Sequence, residues 1–153
     1  MNKCTQPSQN ERGQSMVELA LTITILMVLL AGTIDLGRAF FTWLAMRDAA
    51  QEGASYASIN PSATDLDCTV STDQICLRIW DNLQQVVKDP LADVKVDVTY
   101  SGPHCLGSSI GKITVFIDYT NFNLMMPFLG IFVGNSIPIR ATINDTIVAP
   151  MCH

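Results

Sequence analysis

Charge is scarce in this chain, and imidazole is scarcer. Asp, Glu, Lys and Arg make up 15% of the 153 residues, and there are two histidines. A soluble domain carries about a quarter charged residues, so a fully solvated protein is a poor fit. Nine Lys and Arg stand against fourteen Asp and Glu, a formal net charge of −5. No basic face is visible, which argues against a nucleic-acid partner, because phosphate binding needs one. No histidine-rich or paired-cysteine ligand motif occurs. His104–Cys105 and Cys152–His153 need not meet, and oxidation would remove the thiolates, so no metal or cofactor is expected. There is no G-x-S-x-G, H-E-x-x-H or phosphate-cradling loop, and the carboxylates are mostly singletons. The chain is therefore not read as an enzyme. An enzyme would need a polar cleft around His104 or clustered carboxylates.

Charge is missing altogether from Leu19 to Ile34, "LALTITILMVLLAGTI". With Met16 and Val17 the apolar stretch reaches 19 positions, broken only by Glu18. As a helix it is about 28 Å long, close to the ~30 Å hydrocarbon core of a bilayer. So small a chain has no core able to surround such a helix, so a single membrane span is expected over about 16–36. A cleaved secretory signal fits less well: no A-x-A-like site follows, and the helical pattern continues. Proline is absent from Asp35 to Ser58. Leu36, Phe40, Trp43, Leu44, Ala50, Ala54 and Ala57 roughly trace one apolar stripe, with Arg38, Arg47, Asp48 and Glu52 mostly away from it. One helix over 14–58 follows, its first half in lipid and its second half packed on a domain. Asp35 and Arg38, at the far end of the span, form either an i,i+3 ion pair at the interface or two solvated, snorkelling residues.

The remaining 59–153 reads as one extracytoplasmic α+β domain. A polar loop over 60–72 precedes a short helix over about 73–88. Ser71 and Gln74 resemble a capping box, and Asp89–Pro90 is the stop. Three alternating strands follow, "DVKVDVTYS", "GKITVFIDYT" and "IPIRATINDTI", as an antiparallel meander with an apolar face for the helices. Residues 121–136, "NFNLMMPFLGIFVGNS", are too apolar for an ordinary loop. They either fold over the core or form an exposed contact patch. Cys4 lies before the span. Cys68, Cys76, Cys105 and Cys152 lie beyond it, an even set suited to an oxidising compartment. Three pairings are possible; Cys68–Cys76 with Cys105–Cys152 is favoured. Lys3 and Arg12 against Glu11 give a weak positive-inside signal, which places the 1–13 leader in the cytoplasm.

Glycine, four residues, then glutamate at the start of an apolar helix resembles the processing site of type IV pilin precursors. The wider stretch, Arg12–Gly13–Gln14, Val17–Glu18, Asp35–Leu36–Gly37–Arg38 and "AAQEGASYA" from Ala49, is similar to the TadE-like family of minor pilins or pseudopilins of the Flp (Tad) pilus machinery. Leu19 stands where members of that family often carry an aromatic. The resemblance implies a pilin-like fold, a long helix packed on a small antiparallel sheet with one short helix. It implies processing between Gly13 and Gln14 by a prepilin peptidase. It makes Glu18 an assembly carboxylate that meets the new α-amine of Gln14 in its own or a neighbouring subunit. The implied partners are the membrane, the peptidase, other pilins or pseudopilins and Tad assembly components. The implied location is the inner membrane, with possible incorporation in the pilus. The rival is an uncleaved, membrane-anchored extracytoplasmic binding or sensing domain, which has no reason to carry the Gly13–Glu18 spacing.

Overall fold

The computed structural model describes residues 9–70, 72–102, 111–125, 134 and 136–148, with side chains from Gly13 onward. Its elements run α1 (Gln9–Ile59), β1 (Leu66–Asp67), α2 (Gln74–Leu83), α3 (Pro90–Asp93), β2 (Val94–Ser101), β3 (Lys112–Asn123) and β4 (Ser136–Thr146). The architecture is α+β: one long helix packed on a four-stranded antiparallel sheet with short helices.

No proline interrupts α1 over its 51 residues, so its backbone ladder is continuous for about 77 Å. It stops where Asn60 precedes Pro61, a position that disfavours helical backbone. From Gly13 to Leu30 every side chain is exposed. From Asp35 onward one face is buried: Asp35, Thr42, Met46, Ala49, Ala50, Gly53, Ala54, Ala57 and Ser58. This corrects the stripe read from periodicity. Ala50, Ala54 and Ala57 are buried and Trp43 is half-buried, but Leu36, Phe40 and Leu44 face outward. Small residues win the inner face because they let α2 and the sheet approach the helix backbone. The clearest case is Gly53, where a Cβ would lie 2.5 Å from Ile79 Cγ1.

The sheet is a meander in the order β1-β2-β3-β4. Val94, Val96 and Val98 of β2, Ile113, Val115 and Ile117 of β3, and Ile139 and Ala141 of β4 are buried on one face. Ion pairs Lys95–Asp97 and Arg140–Asp118 lie on the other. The alternation expected of three strands is present. The fourth strand, β1, pairs Leu66 with Val98 and Asp67 with Asp97; at two residues it is too short to leave a pattern. The helix expected over 73–88 ends at Leu83. Gln84 N–H donates to Trp80 O at 2.9 Å and Val87 N–H to Leu83 O at 2.9 Å, which turns the chain before Pro90. Its N-cap is Asp73, whose Oδ1 accepts from Ile75 N–H at 2.9 Å. Ser71, assigned to a capping box from the sequence, lies outside the described residues.

One irregularity bears on the site. Between Tyr119 and Phe122 the β3–β4 register slips, so that three steps on β3 oppose two on β4, from Ile139 to Ile137. Such a bulge shifts the parity of the strand. Phe122 therefore lands on the core face beside Tyr119, their ring centroids 6.1 Å apart.

Candidate functional site

Two regions of α1 carry the residues singled out by sequence. The first is its N-terminal arm. Gly13, Gln14 and Glu18 are helical and exposed, and nothing lies within 4 Å of a Cβ built on Gly13. Polar side chains on the apolar stretch are few, and their partners can be traced. Thr22 Oγ1 donates to Glu18 O, Thr24 Oγ1 to Ala20 O and Thr33 Oγ1 to Leu29 O, each at 2.8 Å. These i to i−4 bonds satisfy the hydroxyls within the helix, as a lipid environment requires. Glu18 is different. Among the described residues nothing pairs with its carboxylate. From Met16 to Ile34 it is the one polar side chain without a partner among the described residues.

The second region is the foot of the domain. Asp35 is 2% exposed although it follows directly on the apolar run. Its Oδ1 accepts from the backbone N–H of Met125 at 3.2 Å, and the Arg38 guanidinium lies 3.5 Å from the same oxygen. Arg38 also stacks over the Phe122 ring, 5.5 Å from its centroid, an arrangement that attracts a cation to the ring face. Asp35 and Arg38 thus form the i,i+3 pair, and Asp35 in addition ties the helix to the chain leaving β3. The bulge matters here, because it turns Phe122 toward Arg38. Sequence reading missed Phe122 and Met125. Phe122 breaks the alternation of its strand, and a backbone N–H leaves no trace in residue identity. A groove of about 380 Å³ opens beside this junction, lined by Arg38, Phe41, Thr42, Val86, Tyr119, Phe122 and Asn123. Burial raises the Tyr119 phenol above its ordinary pKa, as does Asp93, while Arg38 opposes the shift.

Farther up, Cys68 and Cys76 are joined by a disulfide. It staples the loop after β1 to the start of α2, and Trp80 Nε1–H donates to Cys68 O at 3.0 Å beside it. Asp67 accepts from both the hydroxyl and the backbone N–H of Thr69, which hold its carboxyl below the usual carboxylate range. Cys105, Cys152, His104 and His153 lie outside the described residues, as do 126–133 and 135 of the apolar segment. Its first three residues, Asn121 to Asn123, extend β3 rather than form a loop. Among the described residues no group of three or more His, Cys, Asp or Glu is placed to hold a metal ion.

Residues 13–55 match the model of the TadE-like protein family. Over that stretch the chain is similar to TadE-like proteins. The match begins at Gly13, takes in Glu18, Asp35 and Arg38, and ends within the last turns of α1, so the disulfide-bearing sheet lies outside it. Neither a curated protein nor a solved structure matches the chain. The helix that carries the match is long and apolar enough to cross a membrane, and none of its most apolar stretch is buried in the fold.

Proposed function

We propose that this protein is a pseudopilin, or minor-pilin-like component, of Tad (Flp) pilus biogenesis that acts by subunit packing. The observation that carries the reading is Glu18, a carboxylate in the apolar stretch Met16 to Ile34 of a helix that matches the TadE-like family, where the other polar side chains, Thr22, Thr24 and Thr33, are satisfied within the helix. An ionised carboxylate costs about 2.5–3.5 kcal/mol at the bilayer centre and less near the surface, where Glu18 enters the span, and a partner of opposite charge removes that cost. Cleavage by a prepilin peptidase after Gly13 would create one, the α-amine of Gln14. Pairing of that amine with Glu18, in the same or an adjacent subunit, neutralises both charges in a low-dielectric bundle and sets axial register. On this reading residues 1–13 are a cytoplasmic leader, about 16–36 cross the inner membrane, and 59–153 form the extracytoplasmic domain. The partners are the peptidase, other pilins or pseudopilins and Tad assembly components.

The test is the mature N-terminus, determined by mass spectrometry in native protein, in Gly13→Ala and in a peptidase-deficient host. The expected start is Gln14, lost in both comparisons. A retained Met1, or a cut beyond the apolar run, would overturn the reading in favour of an uncleaved tethered domain.

A further inference from the structure

The two sides of α1 are apolar over different lengths. On the side facing the domain, the lipid-accessible stretch runs from Met16 to Ile34, because Asp35 is already buried against the fold. That is about 27 Å of helix, matching the ~30 Å hydrocarbon core. On the opposite side the apolar surface continues. Leu36 is 72% exposed and Phe40 55%, and Leu44 follows them at the i+4 spacing of one helix face. The same face then turns polar abruptly, with Arg47, Asp48 and Gln51, all exposed. Glu18 lies on this side, five turns before Leu36, so the apolar surface here runs from Leu19 to Leu44, about 39 Å.

A helix standing upright in a bilayer has no use for two such lengths. A tilted one does, since tilting is how an over-long apolar surface is accommodated, and it sinks one side of the helix deeper than the other. We propose that α1 leaves the bilayer obliquely, with Leu36, Phe40 and Leu44 lying in the lipid interface and the domain carried on the opposite, upper side of the helix. Continuity with the span favours lipid as the occupant of this face, because no polar residue separates the outer row from the run that ends at Ile34. The flanking cation fits as well. Arg47, exposed and on the same face one turn beyond Leu44, closes the row at the level where long cationic side chains reach headgroup phosphates. Arg47 also stacks over Trp43, its guanidinium carbon 5.7 Å from the ring centroid, a residue type enriched at membrane–water interfaces. The inference rests on α1 being a membrane anchor but not on any role in a pilus.

The test places the photoreactive residue p-benzoylphenylalanine, one site at a time, at Ile23, Phe40, Leu44 and Gln51 of the full chain. The protein is reconstituted in phosphatidylethanolamine–phosphatidylglycerol vesicles, and adducts are identified by mass spectrometry. Lipid adducts at 40 and 44 in yield comparable with 23, and their loss at 51, are expected. Lipid adducts at 23 with none at 40 and 44, or with protein adducts there instead, would overturn the proposal and assign the face to solvent or to a second helix. Absence of lipid adducts at 23 would remove the anchor itself, a failure distinguishable from the first.

Discussion

Asp35 and Met125 stand ninety residues apart and are joined by a hydrogen bond from the Met125 backbone N–H to the Asp35 carboxylate. The bond closes the fold at its narrow end, where the helix enters the domain. Removing the acceptor leaves a part-buried donor without a partner and Arg38 without its ion pair. Asp35→Ala is expected to cost about 1–3 kcal/mol, and Asp35→Asn less, because the amide oxygen still accepts. The check is thermal unfolding in detergent together with hydrogen exchange at the Met125 amide, which should accelerate in the alanine variant. Arg38→Ala should cost only about 0–1 kcal/mol, since Arg38 is half exposed and solvent screens the pair.

Gly53 and Ile79 mark the closest approach of α1 and α2. A methyl group at position 53 would meet Ile79 Cγ1 at 2.5 Å and Cδ1 at 2.6 Å. Gly53→Ala is expected to destabilise by about 1–3 kcal/mol through overpacking. In an Ile79→Ala background the same change should become neutral or stabilising, because the clash is gone and alanine favours helix by about 1 kcal/mol over glycine. Denaturant titration of the four proteins in this cycle reads the change of sign.

The Cys68–Cys76 disulfide closes a short loop, its ends separated by 8 in sequence. On the chain-entropy account a loop of this size contributes about 2–3 kcal/mol. Reduction, or the paired change to alanine, should lower the unfolding midpoint by a corresponding amount. Trp80 emission should respond as well, because its indole N–H is held by the Cys68 carbonyl.

Tyr100 supplies a pH dependence at the alkaline end. Burial raises its pKa above 10.0; the Ser62 N–H bonded to its oxygen works against this, and Asp73 and Asp65 add to it. A raised folded value means the folded state holds its proton longer than the unfolded chain does. The contribution is whole below pH 10.0 and is lost as pH climbs from there through the folded pKa. Stability should therefore fall as pH rises above 10.0, and tyrosinate absorbance should show part of the tyrosine signal titrating late. In Tyr100→Phe the alkaline slope should flatten.

Much of this architecture could be read before any coordinates. The apolar run, the proline-free continuation and the alternation of β2, β3 and β4 each follow from one periodicity with one cause. What escaped the sequence has causes too. Leu36, Phe40 and Leu44 share the helical period with Met46, Ala50 and Ala54, so hydrophobic spacing alone cannot say which row turns inward. The answer depends on how near α2 comes, and hence on the small side chains at Ala49, Gly53 and Ala57. Phe122 was illegible because a bulge adds one residue to the count, and β1 because two residues show no alternation. At the site, the Glu18 spacing and the Asp35–Arg38 pair were both visible in the primary structure. The tie from Asp35 to Met125 was not, since it ends on main chain.

The last turn of α1 has carbonyls with no partner inside the helix, as every helix end does. Here one is satisfied from far along the chain: Val148 N–H donates to Ser58 O at 2.9 Å, next to Ile147 N–H, which donates to Gly111 O at 2.9 Å. The helix is thus sealed by a stretch that is made only after all four strands of the sheet. The consecutive strands β2, β3 and β4 can pair locally as they appear, but the clasp cannot close until Val148 has been made. A nascent chain stopped short of Ile147 would hold the long helix with its last turn unclasped and the core edge open. Synthesis through Val148 is in this sense the event that lets the helix end and the sheet lock together.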